Sequence, residues 1–124
     1  MSNIAIVYGS LREGMYNFTA FTNMFGEGYK KLGSGTVKGY KLYSFGAYPF
    51  IQEDNGFIVV DVFECSDKCK EAIDGMEYGA GYSSEEVTVE TENGEFTGTI
   101  YTMNDIDPSN YPHVEDGDWV KFKS

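Results

Sequence analysis

Ile4-Ala5-Ile6-Val7 is a short apolar run, rich in β-branched residues and free of charge. Such a run suits a strand covered on both faces, in the middle of a sheet and not at its edge. It stops abruptly at Gly9-Ser10, and a second glycine follows at Gly14. A buried strand that ends this way leaves backbone N–H groups unpaired just outside the sheet. Glycine lets a ligand approach that backbone closely, so the turn can hold a carboxylate. A strand followed by an ordinary turn fits the same residues.

The remaining pattern is β-rich. Thr36 to Phe45 reads as a strand, and Tyr48 to Ile51 as an extended segment. Asp54-Asn55-Gly56 reads as a turn, before a second apolar strand from Phe57 to Phe63 interrupted only by Asp61. Glu86 to Met103 forms a hairpin around Asn93-Gly94, a strong turn signal. With those two residues as the loop, Val87 faces Ile100, Val89 faces Gly98 and Thr91 faces Phe96 on one face. Glu86, Thr88 and Glu90 face Tyr101, Thr99 and Thr97 on the other.

Helices are few. Asn17 to Phe25 suits a short helix with Asn17 as its cap, Phe18, Phe21 and Phe25 sharing a face. Gly26, Gly28, Gly33 and Gly35 then predict a loop. Ser66 to Met76 is the clearest helix. Ser66 can cap it, Asp67 suits its positive end, and Cys69, Ala72, Ile73 and Met76 make an apolar stripe. Gly79 offers a stop. Asp105 to Gly117 reads as loop, and Asp118 to Phe122 as a short closing strand. These elements predict an α+β fold, a small mixed β-barrel with helices packed outside, as a single domain over residues 1–124.

Composition narrows the function. A chain of 124 residues has room for one core. Twenty acidic residues stand against nine basic ones, a net charge of −11. That leaves no basic footprint for nucleic acid, and disfavours an anionic membrane surface. Without an apolar run long enough to span a bilayer, or a basic-then-apolar leader before Ile4, the expectation is cytoplasmic. Cys65 and Cys69 lie far from the lone His113 in sequence, so a metal site is not expected, and both read as reduced thiols, at least Cys69 in the core.

Glu77 is the candidate acid/base. It falls at the C-terminal end of the Ser66 helix, beside the apolar stripe, three residues after Asp74. The negative end of the helix dipole, the like charge of Asp74 and any burial all push a carboxyl pKa upward. A raised carboxyl pKa is what proton transfer near neutral pH requires. A solvated glutamate at a fraying helix end fits the same spacing. Tyr82 and Tyr101 are candidates for a pocket wall, among ten tyrosines.

Four stretches, in order, carry a resemblance. Val7-Tyr8-Gly9-Ser10-Leu11-Arg12-Glu13-Gly14-Met15-Tyr16-Asn17 resembles the opening signature of the γ-glutamylcyclotransferase family, including its short γ-glutamylamine cyclotransferase and AIG2-like members. Gly39-Tyr40-Lys41-Leu42-Tyr43 with Gly46-Ala47-Tyr48-Pro49, then Ile73-Asp74-Gly75-Met76-Glu77 through Tyr82, then Gly117-Asp118-Trp119, are similar to later regions. The resemblance implies a mixed β-barrel that closes 5-oxoproline from a γ-glutamyl amine or amino acid by intramolecular aminolysis. It implies Glu77 as the acid/base, and the backbone of Tyr8, Gly9, Ser10 and Leu11 as the grip on a small-molecule substrate, with no metal or organic cofactor. Asp61 and Tyr78 depart from the family pattern. The alternative expectation is a non-catalytic module that binds a γ-glutamyl or amino-acid-like ligand on the same fold.

Overall fold

The structure is a computed structural model and describes residues 3–124. In chain order its elements are β1 (Asn3–Val7), α1 (Tyr16–Phe25), a 3₁₀ turn (Gly26–Gly28), β2 (Tyr29–Ser44), β3 (Pro49–Cys65), α2 (Asp67–Gly79), β4 (Ser83–Thr91), β5 (Gly94–Thr102), a second 3₁₀ turn (Pro108–Asn110), β6 (His113–Val114) and α3 (Trp119–Lys123). Five strands close in the order β3-β1-β5-β4-β2 and back to β3, and β6 pairs with β2. The barrel is mixed because β1 runs antiparallel to β3 but parallel to β5. Gly98 permits that parallel approach, since a Cβ there would fall 2.6 Å from the Ile4 carbonyl oxygen.

Alternation along β1 divides the core. Ile6 and Tyr8 face the barrel interior with Ile58, Val60, Val62 and Ile100. Ala5 and Val7 face outward, into a second layer with Phe21, Phe63, Cys69 and Ile73. Helices α1 and α2 supply part of that layer, so β1 is apolar on both sides. Ser66 caps α2 by accepting from the Cys69 N–H at 3.2 Å. Cys65 and Cys69 are free, buried thiols, and burial pushes both upward. Among the described residues no helix is long and apolar enough to cross a membrane.

Several local expectations are corrected. Tyr29 to Gly35 is strand, not loop. A Cβ on Gly35 would fall 2.5 Å from the Glu90 carbonyl oxygen, so the glycine there lets β2 and β4 close the barrel. Asp54-Asn55-Gly56 is no turn but a bulge within the continuous β3. The three stand against Gly39 alone, whose φ is +93°.

The hairpin slips by two residues: Val87 pairs with Gly98, Val89 with Phe96 and Thr91 with Gly94. Gly94 alone takes a positive φ, while the Asn93 side chain donates to the Leu32 carbonyl at 2.7 Å. The loop is therefore Glu92-Asn93. Because the slip is even, Val87, Val89 and Ile100 still share a face.

Asp118 to Phe122 is not a closing strand. Asp118 accepts from the Lys121 N–H and starts α3, which brings Trp119 into the interior core; the strand in the tail is His113–Val114. Asn17 caps nothing, because Met15 holds the cap position of α1. Gly79 lies inside α2, and the positive-φ residue after the helix is Gly81.

Candidate active site

The end of β1 builds one wall of a cavity. After Val7, Tyr8 turns its ring into the barrel and its hydroxyl donates to the Tyr101 carbonyl at 2.7 Å. Gly9 packs against Pro49, where a Cβ would fall 2.8 Å from the proline Cγ. Four acceptors of the turn are engaged, the Leu11 carbonyl by the Tyr29 hydroxyl at 2.8 Å. The Gly9 carbonyl accepts from the Arg12 N–H at 3.0 Å, and the Ser10 carbonyl from the Phe18 N–H at 3.1 Å. The Ser10 hydroxyl accepts from the Asn17 side-chain amide at 2.7 Å. The N–H groups of Gly9, Ser10 and Leu11 have no acceptor among the described residues.

The turn is anchored from below by charge. Arg12 Nη1 donates to Asp118 at 2.8 Å, and its Nε lies 3.4 Å from Asp61 Oδ2. Asp61 also accepts from the Glu13 N–H at 2.9 Å and the Ser34 hydroxyl at 2.8 Å. The aspartate that interrupts the Phe57–Phe63 run is thus the counter-charge of the turn. Arg12 is the residue missed in the sequence, although it stands inside the first signature.

Helix α2 builds the facing wall. Its last turn holds Glu77, whose backbone carbonyl accepts from the Tyr82 N–H at 3.0 Å. The Glu77 carboxyl is half-buried, and burial alone raises it from 4.5 to about 7. Asp74 contributes nothing to that shift, contrary to expectation. Its carboxylate is occupied by Lys70, at 2.8 and 3.0 Å, and by the Tyr101 hydroxyl. The Tyr82 hydroxyl donates to the Pro49 carbonyl, tying the segment after α2 to the start of β3.

The cavity has a volume of about 270 Å³. Tyr8, Gly9, Ser10, Leu11, Glu77, Tyr82 and Tyr101 all line it, so residues far apart in sequence converge on one space. Tyr16, Asn17, Tyr48, Pro49, Met76 and Ala80 complete the wall together with Ile6 and Val7. Tyr48-Pro49, Tyr16 and Met76 all lie within the quoted stretches, but none of them was singled out as a wall residue from the sequence. A raised carboxyl facing unpaired N–H donors can exchange a proton with a bound anionic ligand's own amine. Residues 5–121 match the family model described as gamma-glutamyl cyclotransferase, AIG2-like.

The chain belongs to this family. It is similar, at 29% identity over 128 residues covering 99% of the chain, to a Bacillus subtilis (strain 168) protein named "Putative gamma-glutamylcyclotransferase YkqA". The match spans 43% of that protein's length. It is 34% identical over 82 residues to "Putative gamma-glutamylcyclotransferase PH0828" of Pyrococcus horikoshii, a match covering 66% of each chain. The crystal structure of PH0828 superposes with a TM-score of 0.72, over 98% of this chain and 92% of that one. A mouse AIG2-like protein shares the fold, with a TM-score of 0.75 at 19% identity over 92% of this chain and 86% of that one.

Proposed function

We propose that the chain is a γ-glutamyl cyclotransferase that releases 5-oxoproline from a γ-glutamyl amine or amino acid. The observation that carries this reading is the pairing of Glu77, raised to about 7, with the unpaired Gly9–Leu11 amides in one cavity. In this reading the amides hold the substrate's α-carboxylate, as backbone nests hold anions. The α-ammonium then lies toward Glu77.

Glu77 takes a proton from the ammonium, and the freed amine lone pair attacks the γ-carbonyl carbon of the same molecule. A C–N bond forms and closes a five-membered ring. The C–N bond to the leaving group then breaks, its electron pair takes the proton back from Glu77, and the ring nitrogen gives up its surplus proton through the regenerated carboxylate to the departing amine, which leaves as its ammonium. The products are 5-oxoproline and a free amine. Holding the chain folded replaces a bimolecular encounter and supplies much of the acceleration. A carboxyl near 7 serves both proton transfers because neither form is strongly disfavoured at neutral pH.

The test is release of 5-oxoproline from a panel of γ-glutamyl amines and γ-glutamyl amino acids. Turnover by the wild type and its loss in a folded Glu77→Gln variant are expected. Ligand binding without product release would instead favour a non-catalytic binding module.

A further inference from the structure

Resting on that reading, the walls of the cavity also constrain the leaving amine. The glutamyl half is accounted for by the Gly9–Leu11 turn and Glu77. What remains is the exposed part of the lining, where Ala80 and the large apolar side chains of Tyr16, Tyr48 and Met76 stand. These side chains are 62, 47 and 37% exposed. Of the seven large hydrophobic side chains exposed among the described residues, these three line this one cavity. Exposed aromatic and methionine surface gathered at a cavity mouth is suited to an apolar or aromatic ligand group.

Charge sets the second constraint. Among the described residues no Lys, Arg or His lines the cavity, and Lys70, 5.8 Å from the centre of the Tyr101 ring, is already paired with Asp74 at 2.8 Å. The nearest guanidinium in sequence, Arg12, is held by Asp61 and Asp118 under the turn. A γ-glutamyl amino acid carries a second carboxylate on its leaving group. That carboxylate would sit near Glu77 with no cation to meet it, on a chain of net charge −11. An uncompensated charge taken from water is costly.

We propose that the preferred substrates are γ-glutamyl derivatives of aromatic amines lacking a carboxylate, with Tyr16, Tyr48 and Met76 as the specificity-determining rim. The rim packs the aryl group, and the absence of a cation rejects the amino-acid counterpart.

The decisive pair is γ-glutamyl-phenethylamine and γ-glutamyl-phenylalanine, which differ by one carboxylate. kcat/KM is expected to favour the former by ~10–10²-fold, the size of an unpaired buried charge. It should also exceed that of γ-glutamyl-ethylamide. Tyr16→Ser and Met76→Ser should each lower the phenethyl-to-ethyl preference by ~3–10-fold, mainly through KM, as lost aromatic packing does. Tyr16→Arg should raise activity on γ-glutamyl-phenylalanine. Equal or better turnover of γ-glutamyl-phenylalanine by the wild type overturns the specificity proposal while leaving the cyclotransferase intact. No 5-oxoproline from any substrate removes the cyclotransferase itself. Calorimetric titration of γ-glutamyl-phenethylamine and γ-glutamyl-ethylamide into Glu77→Gln then decides the rim separately: preference for the phenethyl ligand supports it, and equal affinity refutes it.

Discussion

Asp61 and Glu77 are acidic side chains that flank the same turn, and the fold treats them in opposite ways. Asp61 is only 1% exposed, yet it has Arg12 beside it and donors from Glu13 and Ser34. Glu77 is less deeply covered, but no partner offsets its burial, and its carboxyl rises to about 7. Depth does not separate an anchoring carboxylate from a reactive one; the supply of partners does. One anion holds the turn in place, and the other, in the function proposed above, is left free to exchange a proton in front of it.

The largest effect should come from breaking that division at Glu77. Glu77→Gln keeps size and hydrogen-bonding shape but cannot titrate. Release of 5-oxoproline should fall ~10²–10⁴-fold, the usual range for a general acid–base group. Undiminished turnover would leave Glu77 no different from Asp61.

The pH profile sharpens the same point. Wild-type kcat/KM should rise as pH passes through about 7, because the base form of Glu77 is required. A solvated carboxylate would place that rise near 4.5. Stability carries the opposite slope. The unfolded chain ionises first, near 4.5, while the folded chain keeps its proton to about 7. Stability is therefore highest below 4.5 and declines until about 7, after which this group adds no further slope. Urea unfolding from pH 4 to 8 should show a steeper decline in the wild type than in Glu77→Gln.

At Asp61 the expected loss is structural. Asp61→Asn leaves Arg12 with Asp118 alone, and removing one partner of a buried pair costs about 3 kcal/mol. Denaturant midpoints measure it, and the shape of the pH–rate profile should survive in the folded fraction. A shifted apparent pKa would show that Asp61 and Glu77 are not separate devices. Gly9→Ala tests the turn between them. The new Cβ meets Pro49, so ~1–2 kcal/mol of stability should be lost through overpacking.

The smallest effect is expected at Tyr101→Phe. It removes one hydrogen bond to Asp74, which Lys70 still holds, so the change should be about 1 kcal/mol. Thermal midpoints with and without this substitution, in wild type and Glu77→Gln, should add. Non-additivity would mean that Asp74 and Glu77 communicate after all.

Local sequence determined the parts of this protein governed by backbone preference and period. β1 is legible because four apolar residues in a row suit only a strand covered twice. The Ser66 cap, the α2 stripe and the shared face of Val87 and Ile100 follow from spacing within a few residues. Tertiary structure decided what depended on distant partners. Gly33 and Gly35 resemble a loop until β4 crosses them, and Gly94 leaves the hairpin loop to pair with Thr91 while Asn93, still at the tip, donates its amide to Leu32. Asp118 became a helix cap where a strand was expected. The convergence of Gly9–Leu11 with Glu77 was expected from the family resemblance, but local spacing did not contain it. Burial was among the expected causes of the Glu77 shift, but that Asp74 would not share in it was not legible, since Lys70 and Tyr101 occupy Asp74 only in the folded chain. Electrostatics at a site sums over every neighbour in space, and a sequence window contains only neighbours along the chain.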